Sequence, residues 1–191
     1  MKRKLILCFA ILIIFSAFFF IKLPTKQGIN YNVYTYRIPL YIKIIEFVDR
    51  DYRYKRIVSD ITKRNISDEA KTLAIFNWCA QNIKHQPKEL PVIDDHPFSI
   101  IIRGYGVQDQ FEDVFTILCT YAGFEAFYKR FYNSHGGVYY ISFVRVKDRW
   151  CPFSTYAGVY ASKNGRIYSI KDILAEPSIL SLFLTNIPNF E

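Results

Sequence analysis

Thiol and imidazole side chains are the groups in this chain that could serve nucleophilic or metal-assisted chemistry. Apart from Cys8, the candidates are three cysteines and three histidines: Cys79, Cys119, Cys151, His85, His96 and His135. An odd number of cysteines cannot form a complete set of disulfides, and their wide spacing matches no zinc site. Each of these cysteines follows a tryptophan or a leucine, a setting typical of small buried side chains. We therefore predict that the thiols are buried and unreactive.

The histidines give weaker signals. His96 follows Asp94 and Asp95 in a connection rich in proline. Two carboxylates and an imidazole could bind a metal ion, but in a loop this pattern more often marks a solvated loop end. His85 lies near the end of a predicted helix, where a capping or surface position is the simplest interpretation. The sequence therefore predicts no metal site and no cofactor.

Hydrophobic periodicity predicts helices first and antiparallel strands second, which is the order of an α+β domain. Ser67 is a candidate helix N-cap, and at Gly123 the period changes from that of a helix to that of a strand. The predicted helices cover residues 40–64, 67–83 and 108–122, and an apolar helical segment, 169–184, is interrupted at Pro177. The predicted strands cover residues 125–132, 138–147 and 150–153, with a further hairpin near 160–170.

Several short motifs resemble those of transglutaminase-like domains, which are relatives of papain-like cysteine proteases, and they occur in the same order. They lie at residues 67–71, 75–78, 82–84, 104–110, 122–126, 139–150 and 153–155. The resemblance covers residues 42–175, and an ordered series is more specific than any single motif. It implies an α+β fold in which N-terminal helices pack on an antiparallel sheet.

In that family a Cys-His-Asp triad performs the chemistry, with the thiol at the start of the central helix and its partners on successive strands. Carried over one by one, the three positions in this chain are Gln108, Tyr139 and Ser154. A Gln amide has no ionisable nucleophile, and a phenol with a pKa of about 10 is a poor base at neutral pH. The resemblance therefore implies a pseudoenzyme without catalytic residues, whose three side chains converge in a neutral polar pocket.

Two other arrangements of residues could supply a catalytic pair, but each meets a chemical objection. A shifted strand would bring His135 to the imidazole position, although Gln108 would still supply no nucleophile. Cys119 could serve as the nucleophile, but it lies on the apolar stripe three helical turns after Gln108, where a thiol is normally inert. Cys151, which precedes Pro152, has no basic residue next to it.

An uncharged apolar run covers residues 5–21 and follows Lys2, Arg3 and Lys4. At about 1.5 Å per residue, a helix of this length covers about 26 Å, close to the roughly 30 Å of a hydrocarbon core. Because no small-x-small cleavage motif follows, we favour an uncleaved single-pass anchor over a signal peptide. The positive-inside bias then predicts a cytoplasmic N-terminus and an extracytoplasmic body. The predicted segments are a basic tip and anchor (1–24), a tether (25–41) and a transglutaminase-like domain (42–191).

The charge distribution argues against nucleic acid as a partner. The chain has 25 Lys and Arg against 17 Asp and Glu, a formal net charge of +8. Five basic residues fall within the first 26 positions, which leaves a balance of +3 for the rest of the chain. Much of the excess is therefore a membrane signal rather than a nucleic-acid-binding surface.

Three functions follow from these observations. The leading hypothesis is a membrane-anchored, non-catalytic module that binds a protein or peptide partner outside the cytoplasm. The alternative is a divergent cysteine-protease-like hydrolase or acyltransferase acting on peptide or cell-envelope substrates. A third interpretation is a subunit of an envelope assembly that docks through helix 40–64.

Overall fold

A computed structural model describes residues 2–30, 32–62, 67–133, 136–163 and 165–185. The helices among them are α1 (Lys2–Phe20), α2 (Leu40–Ile61), α3 (Asp68–Asn82), α4 (Pro97–Arg103), α5 (Gln108–Tyr121), α6 (Ile170–Ala175) and α7 (Pro177–Thr185). The strands are β1 (Lys22–Ile29), β2 (Asn32–Pro39), β3 (Lys84–His85), β4 (Tyr105–Gly106), β5 (Ala126–Tyr132), β6 (Val138–Val146), β7 (Arg149–Ser154), β8 (Val159–Tyr160), β9 (Ser162–Lys163) and β10 (Arg166–Ile167). This element order confirms the predicted α+β class.

The segment predicted as a tether contains most of a β-hairpin. Strands β1 and β2 pair in antiparallel fashion, with Lys22 opposite Pro39. The Leu40 N–H donates to the Ile21 carbonyl at 2.8 Å, so α1 ends and α2 begins at the same end of this hairpin. Among the residues that the structure describes, no helix has both the length and the apolar character needed to cross a membrane.

Local signals set the ends of the helices that position the site. The Ser67 hydroxyl accepts a hydrogen bond from the Ala70 N–H at 3.3 Å, which confirms it as the N-cap of α3. Helix α5 begins at Gln108, as predicted, and Gly123 follows its end with a φ of 93°. Glycine adopts this backbone conformation at little cost, so the chain can leave the helix and enter β5.

The main sheet is antiparallel, with the strand order β5-β6-β7-β8. Ser142 of β6 pairs with Tyr128 of β5 and with Phe153 of β7, so these three side chains point to one face. Helix α5 packs on this face, which confirms the prediction of a helix from Gln108 against an antiparallel sheet. We call it the inner face and the opposite one the outer face.

The main core lies between α5, the inner face and α3. Helix α5 contributes Phe111, Val114, Phe115, Leu118 and Cys119, all buried. Together with the other two cysteines of the body, Cys79 and Cys151, Cys119 is a free thiol inside this core. The predicted burial of these thiols is confirmed. A smaller cluster on the outer face contains Tyr139 and Ile141 of β6 with Phe183 of α7.

Candidate functional site

The start of α5 is where the resemblance places a nucleophile. Strand β4, which pairs in parallel with β3, leads to this point. At the next residue, the Val107 N–H donates to Gln110 Oε1 at 3.2 Å. Gln108 is the first residue of α5, and its Nε2 is buried without a hydrogen-bond partner among the described residues. A side-chain amide here can donate and accept hydrogen bonds, but it cannot be deprotonated to attack a carbonyl.

The structure does not bring Tyr139 to the start of α5. Successive side chains of a strand point to opposite faces, and Ser142 of β6 faces α5. Tyr139, three residues earlier, therefore lies on the outer face, where it stacks on Phe131 with ring centroids 5.5 Å apart.

Ser154 also lies on the outer face. The preceding residue, Phe153, belongs to the core beneath α5, and the following residue, Thr155, donates to a carboxylate of α5. Ser154 is fully buried between them, and its Oγ has no hydrogen-bond partner among the described residues. The predicted convergence of Gln108, Tyr139 and Ser154 is therefore not found, because both strand positions are displaced by one residue relative to α5. Tyr140 and Thr155 face α5 instead.

The residue that organises this region is Glu112, one turn after Gln108 and fully buried. Its Oε1 accepts the backbone N–H groups of Thr155 at 2.7 Å and Tyr156 at 3.2 Å. Its Oε2 accepts the hydroxyls of Ser142 at 2.5 Å and Thr155 at 3.1 Å. Burial raises the pKa of Glu112 to about 7, although these hydrogen bonds oppose the shift. The carboxyl group therefore joins α5 to β6 and to the end of β7.

Glu112 was not predicted as a site residue, although the sequence contains a signal for it. It stands beside Phe111, at helical spacing with Phe115 and Cys119, on the face that buries the apolar stripe. A charged residue on such a stripe must have hydrogen-bond partners, since an unpaired buried charge is very costly. Ser142 on β6 and Thr155 directly after β7 are the kind of residues that could supply them.

Helix α5 and strands β5 and β6 line an open cavity of about 340 Å³, here called the acidic cavity. Its lining contains three carboxylates, an amide, two phenols and a guanidinium: Asp95, Asp109, Asp113, Gln110, Tyr128, Tyr140 and Arg130. Burial, followed by the charges of Asp109 and Asp95, raises the pKa of Asp113 to about 6. Burial, followed by the charges of Asp113 and Asp109, raises the pKa of Tyr128 to about 12, which is consistent with a negative potential.

Gln110 forms one wall of the acidic cavity and holds its position through a network. Only 2% of the Gln110 residue is exposed, and its Oε1 accepts a hydrogen bond from Arg103 Nη2 at 2.6 Å. Its Nε2 donates to Asp95 Oδ1 at 2.7 Å. A Cβ atom on Gly106 would lie 2.9 Å from Gln110 Oε1, so this glycine leaves the space that the amide fills. The wall is therefore fixed by the loop before α4 and by the start of α5.

The structure changes the predicted role of His96, whereas His85 is exposed, in agreement with its predicted surface position. His96 is not a solvated loop end, because it is half-buried and its Nδ1 accepts the Phe98 N–H at 3.1 Å as the N-cap of α4. Burial is the main cause that lowers the pKa of His96. His85, on β3, stacks on Tyr156 with ring centroids 4.2 Å apart. His135 lies outside the described residues. No group of acidic, Cys and His residues in the described ranges has a metal-binding arrangement.

The thiols of the body are poor nucleophiles in this structure. Burial raises the pKa of Cys79 and Cys119 well above its usual value and that of Cys151 to about 11. All three side chains are fully enclosed in the core. Because the thiolate is the reactive form, these cysteines have little reactivity near neutral pH.

A thiol introduced at Gln108 tests the placement of β6. In a Cys8→Ser background, we expect Gln108→Cys to react with iodoacetamide while the three body cysteines stay unlabelled. Adding Tyr139→His should leave the pH dependence of alkylation unchanged, because an imidazole on the outer face cannot reach α5. Tyr140→His is the matched control on the inner face. A thiol pKa lowered by Tyr139→His but not by Tyr140→His would contradict this geometry.

Comparisons with known proteins support the fold. No family model and no curated protein matches the chain. The structure of a proposed cysteine protease from Cytophaga hutchinsonii aligns over 66% of this chain and 44% of its own, with 18% identity and a TM-score of 0.50. The structure of a TGase (transglutaminase) aligns over 78% of this chain and 48% of its own, with 13% identity and a TM-score of 0.50. The chain thus spans less than half of each. These likenesses confirm a transglutaminase-like, papain-like fold.

Proposed function

We propose that this transglutaminase-like fold is a non-catalytic binding module held at a membrane, with a body outside the cytoplasm that binds a protein or peptide. The observation that carries the proposal is the residue at the start of α5. Gln108 occupies that place, and the thiols of the body are enclosed in the core. A covalent acyl intermediate needs a group that can be deprotonated near pH 7 at this point of the fold.

The acidic cavity is the binding site that we propose for a cationic side chain of the partner. Its lining has three carboxylates against one guanidinium, that of Arg130. The raised pKa of Asp113 reflects repulsion among carboxylates as well as burial, and a bound ammonium or guanidinium group would relieve that repulsion. The Tyr128 and Tyr140 rings, with centroids 6.1 Å apart, offer aromatic surface to the alkyl chain of such a residue.

Helix α1 is the membrane attachment in this proposal. Its sequence has no charge from residue 5 onward, and large apolar side chains on it are exposed, among them Phe9, Ile14 and Phe20. Exposed apolar surface of this extent is costly in water and favourable in hydrocarbon. We expect the full chain to stay with the membrane after alkaline carbonate extraction. Mature protein whose N-terminus lies near residues 20–26 would contradict an uncleaved anchor.

Acyl probes test the absence of turnover. The purified full chain in detergent is treated with an epoxysuccinyl thiol probe and with a fluorophosphonate serine probe, and labelled peptides are identified by mass spectrometry. We expect no stoichiometric labelling of the body. Labelling of Cys119, Cys151 or Ser154 that is abolished by mutating His135 or His96 would overturn the proposal and favour a divergent hydrolase or acyltransferase.

A lysine peptide tests the acidic cavity. Acetyl-Gly-Lys-Gly-amide should bind more strongly than its Glu counterpart in a calorimetric or NMR titration, and binding should strengthen as pH rises through about 6 and Asp113 ionises. We expect Asp113→Asn to weaken binding about tenfold, the effect of about 1.4 kcal/mol from one charge-assisted hydrogen bond. Asp148→Asn, at an exposed turn, is the matched control. Equal binding of both peptides would exclude a cationic ligand for this cavity.

A further inference from the structure

The first half of α2 carries an apolar stripe that the body does not cover. Its members are Ile44, Ile45, Val48 and Tyr52, and all are exposed. The exposed fractions of Ile45 and Val48 are 62% and 58%, far more than a packed helix face leaves to solvent. Spacings of three, four and seven residues place the stripe on one side of the helix. We call it the α2 stripe.

Helix α2 thus has two apolar faces with different roles along its length. Its second half buries Tyr54 and Val58 in the main core, with Ile57 packed against them. The α2 stripe precedes Tyr54 along the helix and points roughly 150° away from that buried face, at about 100° per residue. The second half therefore fixes the helix to the domain, and the stripe is presented outward by a rigid element.

The stripe is continuous with the apolar surface of α1. The backbone hydrogen bond from Leu40 to Ile21 holds the start of α2 against the end of α1. The Phe19 ring lies 5.2 Å from the Tyr41 ring between their centroids, which bridges the two helices. Any apolar medium that surrounds the end of α1 therefore reaches the α2 stripe without crossing a polar gap.

The segment that leads to the α2 stripe carries charge of one sign, whereas the stripe itself is flanked by acidic and basic residues, so the balance over residues 22–53 is +3. Between residues 22 and 45 the chain has four basic residues and its first acidic residue is Glu46; the basic residues are Lys22, Lys26, Arg37 and Lys43. Tyr34 and Tyr36 of the hairpin are exposed in the same segment. Tyrosines with flanking cations are typical of the headgroup layer of a membrane, where each Lys or Arg near an anionic surface contributes about 1 kcal/mol.

We infer that the α2 stripe is an interfacial membrane contact, which lies in the headgroup region of an anionic bilayer and fixes the orientation of the body. This inference extends the proposed attachment through α1 and adds a second, lateral contact. The stripe spans residues 44–52, about 12 Å of helix, a length that fits along the surface rather than through the hydrocarbon. The acidic cavity, which is formed by α5 and the sheet, then has a fixed orientation relative to the membrane.

Site-directed spin labelling of the full chain tests the contact. In a Cys8→Ser background, Ile45→Cys and Val48→Cys carry a nitroxide in vesicles of phosphatidylcholine and phosphatidylglycerol at about 3:1. Glu46→Cys is the matched control, because Glu46 is exposed and lies roughly 100° and 160° around the helix from the two test positions. We expect a several-fold higher ratio of oxygen to nickel-complex collisions at positions 45 and 48 than at 46.

Two results of this labelling would overturn the inference. The first is a water-like collision ratio at positions 45 and 48 while the protein stays in the carbonate-washed membrane, since α1 would then attach the chain without the stripe. The second is spectral broadening at these positions that disappears on dilution with unlabelled chain, which would assign the stripe to a second copy. Loss of the whole chain from the membrane would instead contradict the attachment through α1.

A measurement on the unmodified chain does not depend on the labelled variants. Vesicles of the same composition contain a phospholipid with a photoreactive diazirine near its headgroup. After irradiation, we expect lipid adducts in the peptide that contains residues 44–52. Adducts confined to residues 2–21 would overturn the interfacial contact and leave the attachment through α1 intact.

Discussion

Replacing Glu112 by alanine is expected to lower the free energy of unfolding by about 3–5 kcal/mol. The substitution leaves the Thr155 and Tyr156 N–H groups and the hydroxyls of Ser142 and Thr155 without their acceptor in the buried core. Each unsatisfied buried donor costs about 1–3 kcal/mol, and the lost side chain also leaves a cavity. Urea unfolding of the full chain in detergent, followed by circular dichroism, measures the change.

Glu125→Ala is the matched control for this measurement. Glu125 accepts from Arg145 at 2.7 Å, but 65% of its side chain is exposed. Removing a partner of such a surface ion pair should change the free energy of unfolding by less than about 1 kcal/mol. Equal losses in the two variants would show that the Glu112 carboxyl group does not join α5 to the strands as described.

Replacing Glu112 by glutamine should remove a pH dependence of stability. The pKa of Glu112 is raised from an ordinary 4.5 to about 7 in the folded chain. Between these values the unfolded chain has released the proton and the folded chain still holds it, so the free energy of unfolding falls as pH rises. A glutamine amide keeps the shape, accepts both backbone N–H groups through its oxygen and donates to the two hydroxyls.

The unmodified chain and the Glu112→Gln variant should therefore be equally stable near pH 4, and their free energies of unfolding should diverge as pH rises. At pH 8 we expect Glu112→Gln to be the more stable, by on the order of 3 kcal/mol, as a pKa shift of this size implies. Asp113, whose pKa is raised to about 6, contributes a decline of the same sign in both proteins and cancels in their difference. Unfolding curves at pH 4, 6 and 8 measure this difference in the free energy of unfolding. If the free energy of unfolding fell equally with pH in both proteins, a buried, protonated Glu112 would be contradicted.

Helices α3 and α5 could be predicted from the sequence because local chemistry sets their ends, whereas α4 lies in a segment that was predicted as a connection. Ser67 supplies the cap of α3, and Gly123 supplies the positive φ after α5, so each boundary depends on residues within one turn. The β1–β2 hairpin was not predicted. Most of β2 is exposed on both faces, so no alternation of apolar and polar residues distinguishes it from a loop.

The geometry of the site depends on which face of the sheet each side chain of β6 and β7 takes. Spacing along the chain assigns Tyr139 and Ser154, but a displacement of one residue moves every side chain to the other face. The tight turn at Lys147 and Asp148 holds β6 and β7 in register, and that register turns both residues to the outer face. Sequence motifs locate the strands well, but they do not settle which face each side chain takes.

The Glu112 contacts also imply an order in which the domain can fold during its synthesis. The carboxyl group meets Ser142, 30 residues later, and Thr155, 43 residues later. At roughly 5–20 residues per second, the ribosome adds Thr155 about 2–9 s after Glu112. During that interval α5 can form alone, and an ionised carboxylate keeps its apolar face hydrated. Strands β6 and β7 then supply the hydrogen-bond partners of Glu112, so α5 can pack on the sheet only after β7 has been made.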